Sequence, residues 1–475
     1  MKLSQLLFGA DVENTYEDVE ISFVTDNCEK CVKNCAFVCI EGKNHDGHDY
    51  IGKAEENGAA VFITQKDTGR ENQIIVKNTR KTYALMCSSF FGEPSKEMKL
   101  IGITGTNGKT TTANIIYSLL TLFGEKAGLI GTVENIVDGE KNESIYTTPD
   151  AFEFNRLLRK MADCGTKYCV CEVSSQALDQ CRTDGCRFSV GVFTNITKEH
   201  LDYHKTFDNY LSAKKKLFSS CENAIINLDD PYADSVLSDI GCDIMTFSVK
   251  KDEADLTAKN VRYGQGFAEY AAVMYCSIGR VRISGIGEYS VKNSLAALAV
   301  MIKLGFGFEE TCQKMSLVKP VRGRGEVIET GKDFSVIIDY AHTPDALYNV
   351  LYALSREKKG RLIVLFGCGG DRDKSKRADM GSIASSLADI AVVTDDNPRN
   401  ESEDEIISDI LSGMNNQKCR IYVEKDRTRA IKLALESAKK DDIVLLAGKG
   451  HEAYQIIKNQ KMPFDEREKV AEILR

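Results

Sequence analysis

No apolar run in this chain approaches the ~18 residues a membrane-spanning helix requires, and the N-terminus has no charged-then-apolar leader pattern. Membrane spanning and export therefore find no support. Positive charge is also scarce: 62 Lys and Arg stand against 70 Asp and Glu, a formal net charge of −8. A general polyanion binder needs a basic surface, and only short lysine runs occur, so nucleic acid is not an expected partner. What remains is an ordinary globular balance, 43% hydrophobic and 28% charged over 475 residues. That length suggests about three domains of roughly 150 residues each.

Cysteine, by contrast, is plentiful, with 16 in the chain. Cys28, Cys31, Cys35 and Cys39 make a C-x2-C-x3-C-x3-C run that superficially suggests a metal or iron–sulfur site. The stretch Ala36–Ile40 reads as a buried strand, which would turn neighbouring ligands to opposite faces. Cys169, Cys171 and Cys276 lie in apolar, strand-like contexts where a thiol behaves as a small hydrophobe. The expectation is reduced thiols in a cytoplasm.

The densest chemistry lies in Ile101-Gly102-Ile103-Thr104-Gly105-Thr106-Asn107-Gly108-Lys109-Thr110-Thr111-Thr112. An apolar run precedes it and the apolar-periodic Ala113–Leu122 follows. Strand, glycine turn and helix in that order build a phosphate cradle: backbone N–H groups converge on the anion and the positive helix end faces it. Lys109 should reach the β- and γ-phosphates, with the Thr110 hydroxyl on Mg²⁺. The spacing departs from the usual loop, since position 103 is isoleucine and the glycines fall at 102, 105 and 108.

The fold class expected is α/β in three segments. Residues 1–96 mix short apolar runs with glycine turns, a small α/β unit. Residues 97–320 begin with the phosphate loop and continue with apolar runs at Tyr168–Val173, Val190–Thr194 and Ala224–Asn227, the strands of a mostly parallel sheet. An alternating region, Val273–Ile286, predicts antiparallel strands, and Asn293–Leu304 reads as an amphipathic helix. Residues 321–475 alternate strand and helix more regularly, a Rossmann-like doubly wound sheet. Four of its strand ends carry glycine or charge: Tyr340–His342, Gly367–Arg372, Asp395–Arg399 and Gly448–Glu452. They define one crevice.

Within the central segment, Glu172 ends a strand beside the phosphate loop, placed either to hold Mg²⁺ or to act as a surface acid. His200 and His204, four residues apart, could share a helix face or bind a metal, though no third zinc ligand appears at typical spacing. Lys214-Lys215-Lys216, taken alone, is a solvated basic face.

Taken together, Gly105–Thr111, Glu172-Val173-Ser174-Ser175, His200–His204 with Lys214 ten residues on, and Asp339–Asp345 resemble the Mur ligases. Gly367–Lys374, Asp396-Asn397-Pro398-Arg399 and Gly448–Glu452 narrow the resemblance to members adding the third peptide residue. It spans essentially the whole chain. It implies a UDP-sugar-binding domain at 1–96, a central ATP-binding ligase domain at 97–320 and an amino-acid-binding domain at 321–475. The reaction implied is ATP-driven amide formation on UDP-N-acetylmuramoyl-L-alanyl-D-glutamate through an acyl phosphate, by a cytoplasmic monomer in cell-wall precursor synthesis.

The resemblance also implies site residues. Lys109, Glu172, His200 and Lys214 would be catalytic, with Lys214 carbamylated by CO₂ so that, with Thr110, Glu172 and His200, it serves Mg²⁺. ATP would meet Gly105, Thr106, Asn107, Gly108, Lys109, Thr110 and Thr111, with Asn293, Arg324 and Asp339 near the nucleotide. The sugar-nucleotide peptide would meet Thr147, Thr148, Ser174, Gln180 and Arg182. On its uridine side lie Lys43, Asn44, His45 and Cys28, the last standing where the family commonly has serine. Gln176 and Tyr146 are further departures, neither in the catalytic set.

For the amino acid, Arg372, Asp396, Asn397, Pro398, Arg399, Gly448 and Glu452 match the family's contacts. The choice among amino acids follows from charge. Meso-2,6-diaminopimelate carries a second carboxylate where L-lysine has only an ammonium, and Arg399 offers a bidentate guanidinium for it, although it could also merely cap a turn. Meso-diaminopimelate is the expected substrate. The alternatives are L-lysine addition, glutamate addition to folate, and a nucleotide-binding regulatory module without ligation.

Overall fold

The structure is a computed structural model that describes residues 1–42, 45–238, 240–264, 266–416, 418–458 and 460–475. The chain divides into two compact units, Met1–Met245 and Thr246–Arg475.

The first unit opens with a parallel sheet in the order β1 (Phe23–Thr25), β2 (Cys35–Val38), β3 (Ala59–Thr64) and β4 (Gln73–Ile75). Every residue of β2 is buried because its two faces serve two cores. Ala36 and Val38 pack towards Tyr83, Ala84 and Met86 of the helix Thr79–Phe90. Cys35, Phe37 and Cys39 pack on the other side with Ile51 and Ala54 of the helix Ile51–Glu56. Cys28 and Cys31 join this second group, so all four cysteines share one apolar cluster. This corrects the expectation that strand geometry scatters them. Positions 35 and 39 are an even number apart and therefore share a face.

A second sheet in this unit runs β11 (Cys221–Asn227), β10 (Phe188–Phe193), β5 (Lys99–Thr104), β9 (Tyr168–Glu172), β6 (Ala127–Ile130), β7 (Glu134–Val137) and β8 (Glu140–Glu143). Its first five strands are parallel, and β7 and β8 add an antiparallel edge. Gly102 belongs to β5 rather than to the turn. A Cβ there would approach Phe188 to 2.8 Å, so this glycine serves sheet packing.

The second unit begins within β12 (Asp243–Ser248), whose Phe247 and Ser248 pair with β13 (Leu256–Gly264), followed by antiparallel β14 (Phe267–Met274) and β15 (Ser277–Ser284). Cys276 sits exposed in the turn between β14 and β15, not in a strand. The helix over Asn293–Leu304 starts earlier, at Gly287, and buries every residue from Asn293 to Met301. It is a core helix, not an amphipathic one: its small residues let it be enclosed on all sides.

The remaining sheet has the order β16 (Glu326–Ile328), β17 (Ser335–Asp339), β21 (Ile443–Ala447), β18 (Leu362–Phe366), β19 (Ile390–Val393) and β20 (Arg420–Val423). Only β16 is antiparallel. Its apolar runs divide by period two. Ile337, Val364, Val393 and Leu445 face one core with helices Pro344–Glu357, Lys376–Leu387 and Glu403–Ser412. Ile338, Leu365, Val392 and Leu446 face the other with helices Arg427–Ser437 and Glu466–Leu474. Burial on both faces is why these strands read as continuous hydrophobic runs. The hairpin of β22 (Tyr454–Ile457) and β23 (Gln460–Pro463) follows β21.

Candidate active site

The turn after β5 is held by conformations only glycine accepts easily. Gly105 has φ +153° and Gly108 φ +88°, the latter capping the helix Lys109–Leu122. A Cβ on Gly105 would lie 1.9 Å from Thr194 Oγ1, so Thr194 can close on the loop. Thr194 Oγ1 donates to the Asn107 carbonyl at 2.7 Å. The Asn195 side chain grips the same residue twice, accepting from Asn107 N and donating to Asn107 O, both at 2.9 Å. Thr106 Oγ1 lies 2.9 Å from the Tyr210 hydroxyl. Lys109 curls over the loop and donates to the Gly105 and Thr106 carbonyls at 2.9 Å each. The loop is thus clamped from residues following β10.

Glu172, the last residue of β9, is 1% exposed. Thr110 Oγ1 donates to its Oε2 at 2.8 Å, and Thr132 donates through N at 2.7 Å and Oγ1 at 2.9 Å. A hydroxyl and a carboxylate side by side are hard oxygen donors. They suit Mg²⁺, which keeps several waters and takes phosphate oxygens as further ligands. Among the described residues no group of three or more His, Cys, Asp or Glu could hold a metal by itself. The pair fits a cation that takes its remaining ligands from phosphate and water.

Lys214 contradicts the solvated-face reading: it is 1% exposed, on the buried side of the helix Phe207–Lys215. Its Nζ stands 4.5 Å from the centre of the Tyr210 ring. Burial, reinforced by the positive charge of Lys109 and opposed by Glu199, holds its pKa well below the ordinary lysine value. The neutral amine this favours is the nucleophilic form. His200 has φ +56° and its ring faces Tyr210 at 6.1 Å. Burial lowers its pKa; Glu199 opposes this, and Lys109 and Lys214 add to it. His204 goes elsewhere, its Nε2 lying 2.9 Å from Ser175 Oγ in the interior. The two histidines are therefore not a ligand pair.

The sugar-peptide candidates form one network. Thr148 is 1% exposed; its Oγ1 donates to the Glu172 carbonyl at 2.8 Å and accepts from Ser174 N at 3.0 Å. The Thr147 and Thr132 hydroxyls lie 3.1 Å apart, and because the Thr132 hydroxyl hydrogen goes to Glu172, Thr147 is the donor of this pair. Arg182 donates to the Thr148 carbonyl at 2.7 Å and, through Nη2, to Gln180 Oε1 at 2.9 Å. On the uridine side the structure gives less. His45 is exposed and touches Tyr50 at 3.4 Å. Lys43 and Asn44 lie outside the described residues. Cys28 is 8% exposed and belongs to the apolar cluster that also holds Cys35 and Phe37.

In the second unit, the Arg324 guanidinium lies 4.5 Å over the Tyr340 ring, and Asp339 Oδ2 accepts from Gly325 N at 2.6 Å. Burial of the Asp339 carboxyl pushes its pKa up to about 6, against the pull of Arg324. Asn293 is buried on the helix Gly287–Lys303. The strand ends converge as expected. Asn397 Nδ2 donates to Glu452 Oε2 at 2.9 Å, and Arg399 Nη1 donates to the Gly370 carbonyl at 2.8 Å. A Cβ on Gly369 would meet Arg399 Nη1 at 2.8 Å and Arg372 Cγ at 3.7 Å, so both arginines flank this glycine. A Cβ on Gly448 would meet Asp396 Oδ2 at 2.7 Å. Pro398 ends the buried corner Asp395–Pro398, and Arg399 follows in the left-handed region at φ +53°. Glu452 is raised by burial and by Asp396. An arginine, an amide donor and a carboxylate in one crevice can receive both charged ends of an amino acid.

Thr132, Thr194, Asn195, Tyr210 and Lys449 carry no assigned role in the sequence reading. Thr132, Thr194 and Asn195 follow the carboxyl ends of β6 and β10, the rule that exposed the third segment's crevice. Tyr210 precedes Lys214 by one helical turn.

Three family models match along the chain. They are the Mur ligase family, catalytic domain at 20–87, the Mur ligase middle domain at 103–301 and the Mur ligase, glutamate ligase domain at 323–450. A UDP-N-acetylmuramoyl-L-alanyl-D-glutamate--2,6-diaminopimelate ligase of Clostridium perfringens is 42% identical over 486 residues, covering 100% of this chain and 99% of its own. A protein of the same description from Clostridium acetobutylicum is 43% identical over 482 residues, covering 100% and 99%. A solved structure of such a ligase superposes with TM-score 0.73 at 29% identity, covering 100% of this chain and 98% of that one. Folylpolyglutamate synthase of Mycobacterium tuberculosis, with ADP and AMPPCP, shares the fold at TM-score 0.64 and 17% identity over 78% of this chain and 92% of its own.

Proposed function

Because the chain belongs to the Mur ligase family, an ATP-using group of amide ligases, we propose that it joins meso-2,6-diaminopimelate to UDP-N-acetylmuramoyl-L-alanyl-D-glutamate. The observation that carries the choice of amino acid is the corner where Arg399, Arg372, Asn397 and Glu452 meet. L-Lysine would leave Arg399 without a carboxylate to pair. The three-segment reading, with 1–96 for the UDP sugar, 97–320 for ATP and 321–475 for the amino acid, is part of the proposal. So are a cytoplasmic location, a monomeric state and the absence of nucleic-acid or membrane partners. No helix among the described residues is long and apolar enough to cross a membrane.

A carboxylate is a poor electrophile and oxide a very poor leaving group, so amide formation needs prior activation. The D-glutamyl carboxylate attacks the γ-phosphorus of ATP, giving an acyl phosphate and ADP. The amine then attacks the acyl carbon, and phosphate leaves. Lys109 and the N–H groups of residues 105–111 receive the phosphate charge, with the helix Lys109–Leu122 directed at it. Mg²⁺, when bound, would supply further shielding of that charge, held by Thr110 and Glu172, with His200 and a modified Lys214 beside it. Thr147, Thr148, Ser174, Gln180 and Arg182 would orient the acceptor peptide, and Asn293, Arg324 and Asp339 the nucleotide. Lys214 is suited to its modification. The neutral amine that its burial favours attacks CO₂, forms the N–C bond and releases one proton, which turns a cation into an anionic oxygen donor.

The test is amide formation followed with meso-diaminopimelate and with L-lysine at equal concentration. Meso-diaminopimelate is expected to be the far better substrate. Comparable use of both sinks the specificity, and phosphate release independent of acceptor and amino acid sinks the ligase reading. In CO₂-depleted buffer the wild type should lose activity as pH falls, because the amine must be neutral to react, and bicarbonate should restore it. Lys214→Ala should respond to neither change.

A further inference from the structure

Lys449 lies two residues past the end of β21 and is 0% exposed, yet the proposed reaction gives it nothing to do. Its ammonium donates to Asn397 Oδ1 at 3.0 Å and to the Tyr454 carbonyl at 2.8 Å, and reaches Glu452 Oε2 at 3.5 Å. The Ile456 N–H donates to the same Asn397 Oδ1 at 2.9 Å. An ammonium and a backbone N–H can only donate. Two donors converging on one atom of an amide require that atom to be oxygen, so the orientation of Asn397 is dictated by its neighbours rather than assigned by convention. Its NH₂ group must then point to the opposite side, where one N–H goes to Glu452 Oε2 at 2.9 Å. The second N–H has no hydrogen-bond acceptor among the described residues.

A reversed amide would set its oxygen against the Glu452 carboxylate and its NH₂ against the Lys449 ammonium. Both contacts repel. Lys449 also ties β22 to this corner through Tyr454, while Arg399 N donates to the Ile456 carbonyl at 3.1 Å and Lys458 N to the Arg399 carbonyl at 2.7 Å. The same hairpin therefore steadies Asn397 and Arg399.

We propose that Lys449 is a positioning residue for the incoming amino acid, holding Asn397 as a hydrogen-bond donor to a substrate carboxylate and Glu452 as an acceptor for a substrate ammonium. This rests on the amino-acid site proposed above. It assigns Lys449 no contact with substrate, and its effect passes through Asn397.

The experiment measures steady-state constants for all three substrates. Lys449→Met keeps the aliphatic length and removes every donor. The KM for meso-diaminopimelate is expected to rise at least tenfold, with kcat and the KM for ATP and for the UDP-linked acceptor within twofold. Lys449→Gln keeps donors in a neutral group and should fall between, with KM raised threefold or more. Adding Lys449→Met to Asn397→Ala should cost less than a further twofold, because the path through Asn397 is already gone. Equal change in all constants, fully multiplicative losses in the double variant, or an unchanged KM in Lys449→Gln would each overturn the proposal. If Lys449→Met does not fold, Lys449→Gln decides alone by its KM for meso-diaminopimelate. Wild-type enzyme that cannot use meso-diaminopimelate refutes the site itself; wild type that can, with Lys449 variants indifferent to it, refutes only this role.

Discussion

The phosphate loop and the amino-acid crevice both lie at the carboxyl ends of parallel strands, but they are held in opposite ways. Around residues 105–108 the clamps supplied from later in the chain are neutral, Thr194 and Asn195 on Asn107 and Tyr210 on Thr106, while the loop's own Lys109 donates to the Gly105 and Thr106 carbonyls. The crevice of the second unit is held by cations removed from water. Arg377, with 0% exposure, pairs with Glu401 and Asp409. Arg427, at 2%, pairs with Glu466 and donates to the Asp395 and Ala447 carbonyls at 3.0 and 2.9 Å. These contacts fix the ends of β19 and β21, from which Asp396–Arg399 and Gly448–Glu452 leave. The ligands account for the difference. A phosphate brings its own charge and asks for N–H groups, whereas a zwitterion needs separate charges fixed some distance apart, and buried ion pairs fix positions firmly.

The comparison can be tested from its largest expected effect downwards. Lys109→Met should lower amide formation by about 10³-fold, in line with the loss of a charge-stabilising donor, while leaving the melting temperature nearly unchanged. Retention of a tenth or more of the activity would remove Lys109 from the mechanism. Arg427→Met should destabilise the protein by about 3–5 kcal/mol, because Glu466 at 1% exposure is left without its cation. Asn195→Ala, the matching cut in the neutral clamp, should cost about 1 kcal/mol. Urea titrations giving equal losses for these two would erase the contrast.

Arg399→Ala should reduce kcat/KM for meso-diaminopimelate by about 10²-fold, as expected for loss of a charge-assisted bidentate contact, without touching residual lysine use. Equal loss of both activities would make Arg399 a turn-former only. A pH-dependent effect concerns Asp339, whose pKa is raised from 3.8 to about 6. The folded state therefore holds its proton more tightly than the unfolded one. Between these values folding takes up a proton, so this group's contribution to stability falls as pH rises through that window. Asp339→Asn cannot titrate there. The stability difference between variant and wild type should shift in the variant's favour from pH 4 to pH 7, and a constant difference would contradict it.

Much of this was legible in the chain because local chemistry carried it. Gly105, Gly108, Lys109 and Thr110 announce a phosphate loop through backbone needs that hold wherever the segment sits. The strand ends at Asp395–Arg399 and Gly448–Glu452 were visible because apolar runs stop abruptly at charge and glycine. Gly102 was less readable. It stands among the loop glycines in sequence, but its constraint comes from Phe188, far along the chain. The helix from Gly287 was likewise misread, because small and polar residues such as Ser290, Asn293 and Ser294 look solvent-facing until neighbours enclose them.

By itself the sequence determined the α/β alternation, the phosphate loop and the set of charged strand ends, since each follows from residue types within one short window. Tertiary structure alone decided the state of Lys214, the company of Glu172 and the direction of the Asn397 amide. A lysine beside two others reads as solvated until burial and Lys109 make its charge costly. A carboxylate has no defined role until Thr110 meets it from the helix Lys109–Leu122 and Thr132 from the turn after β6. Protonation and hydrogen-bond direction depend on what surrounds a group in space, and the partners of Glu172 lie 40 and 62 residues away in the chain and Lys449 lies 52 residues from Asn397.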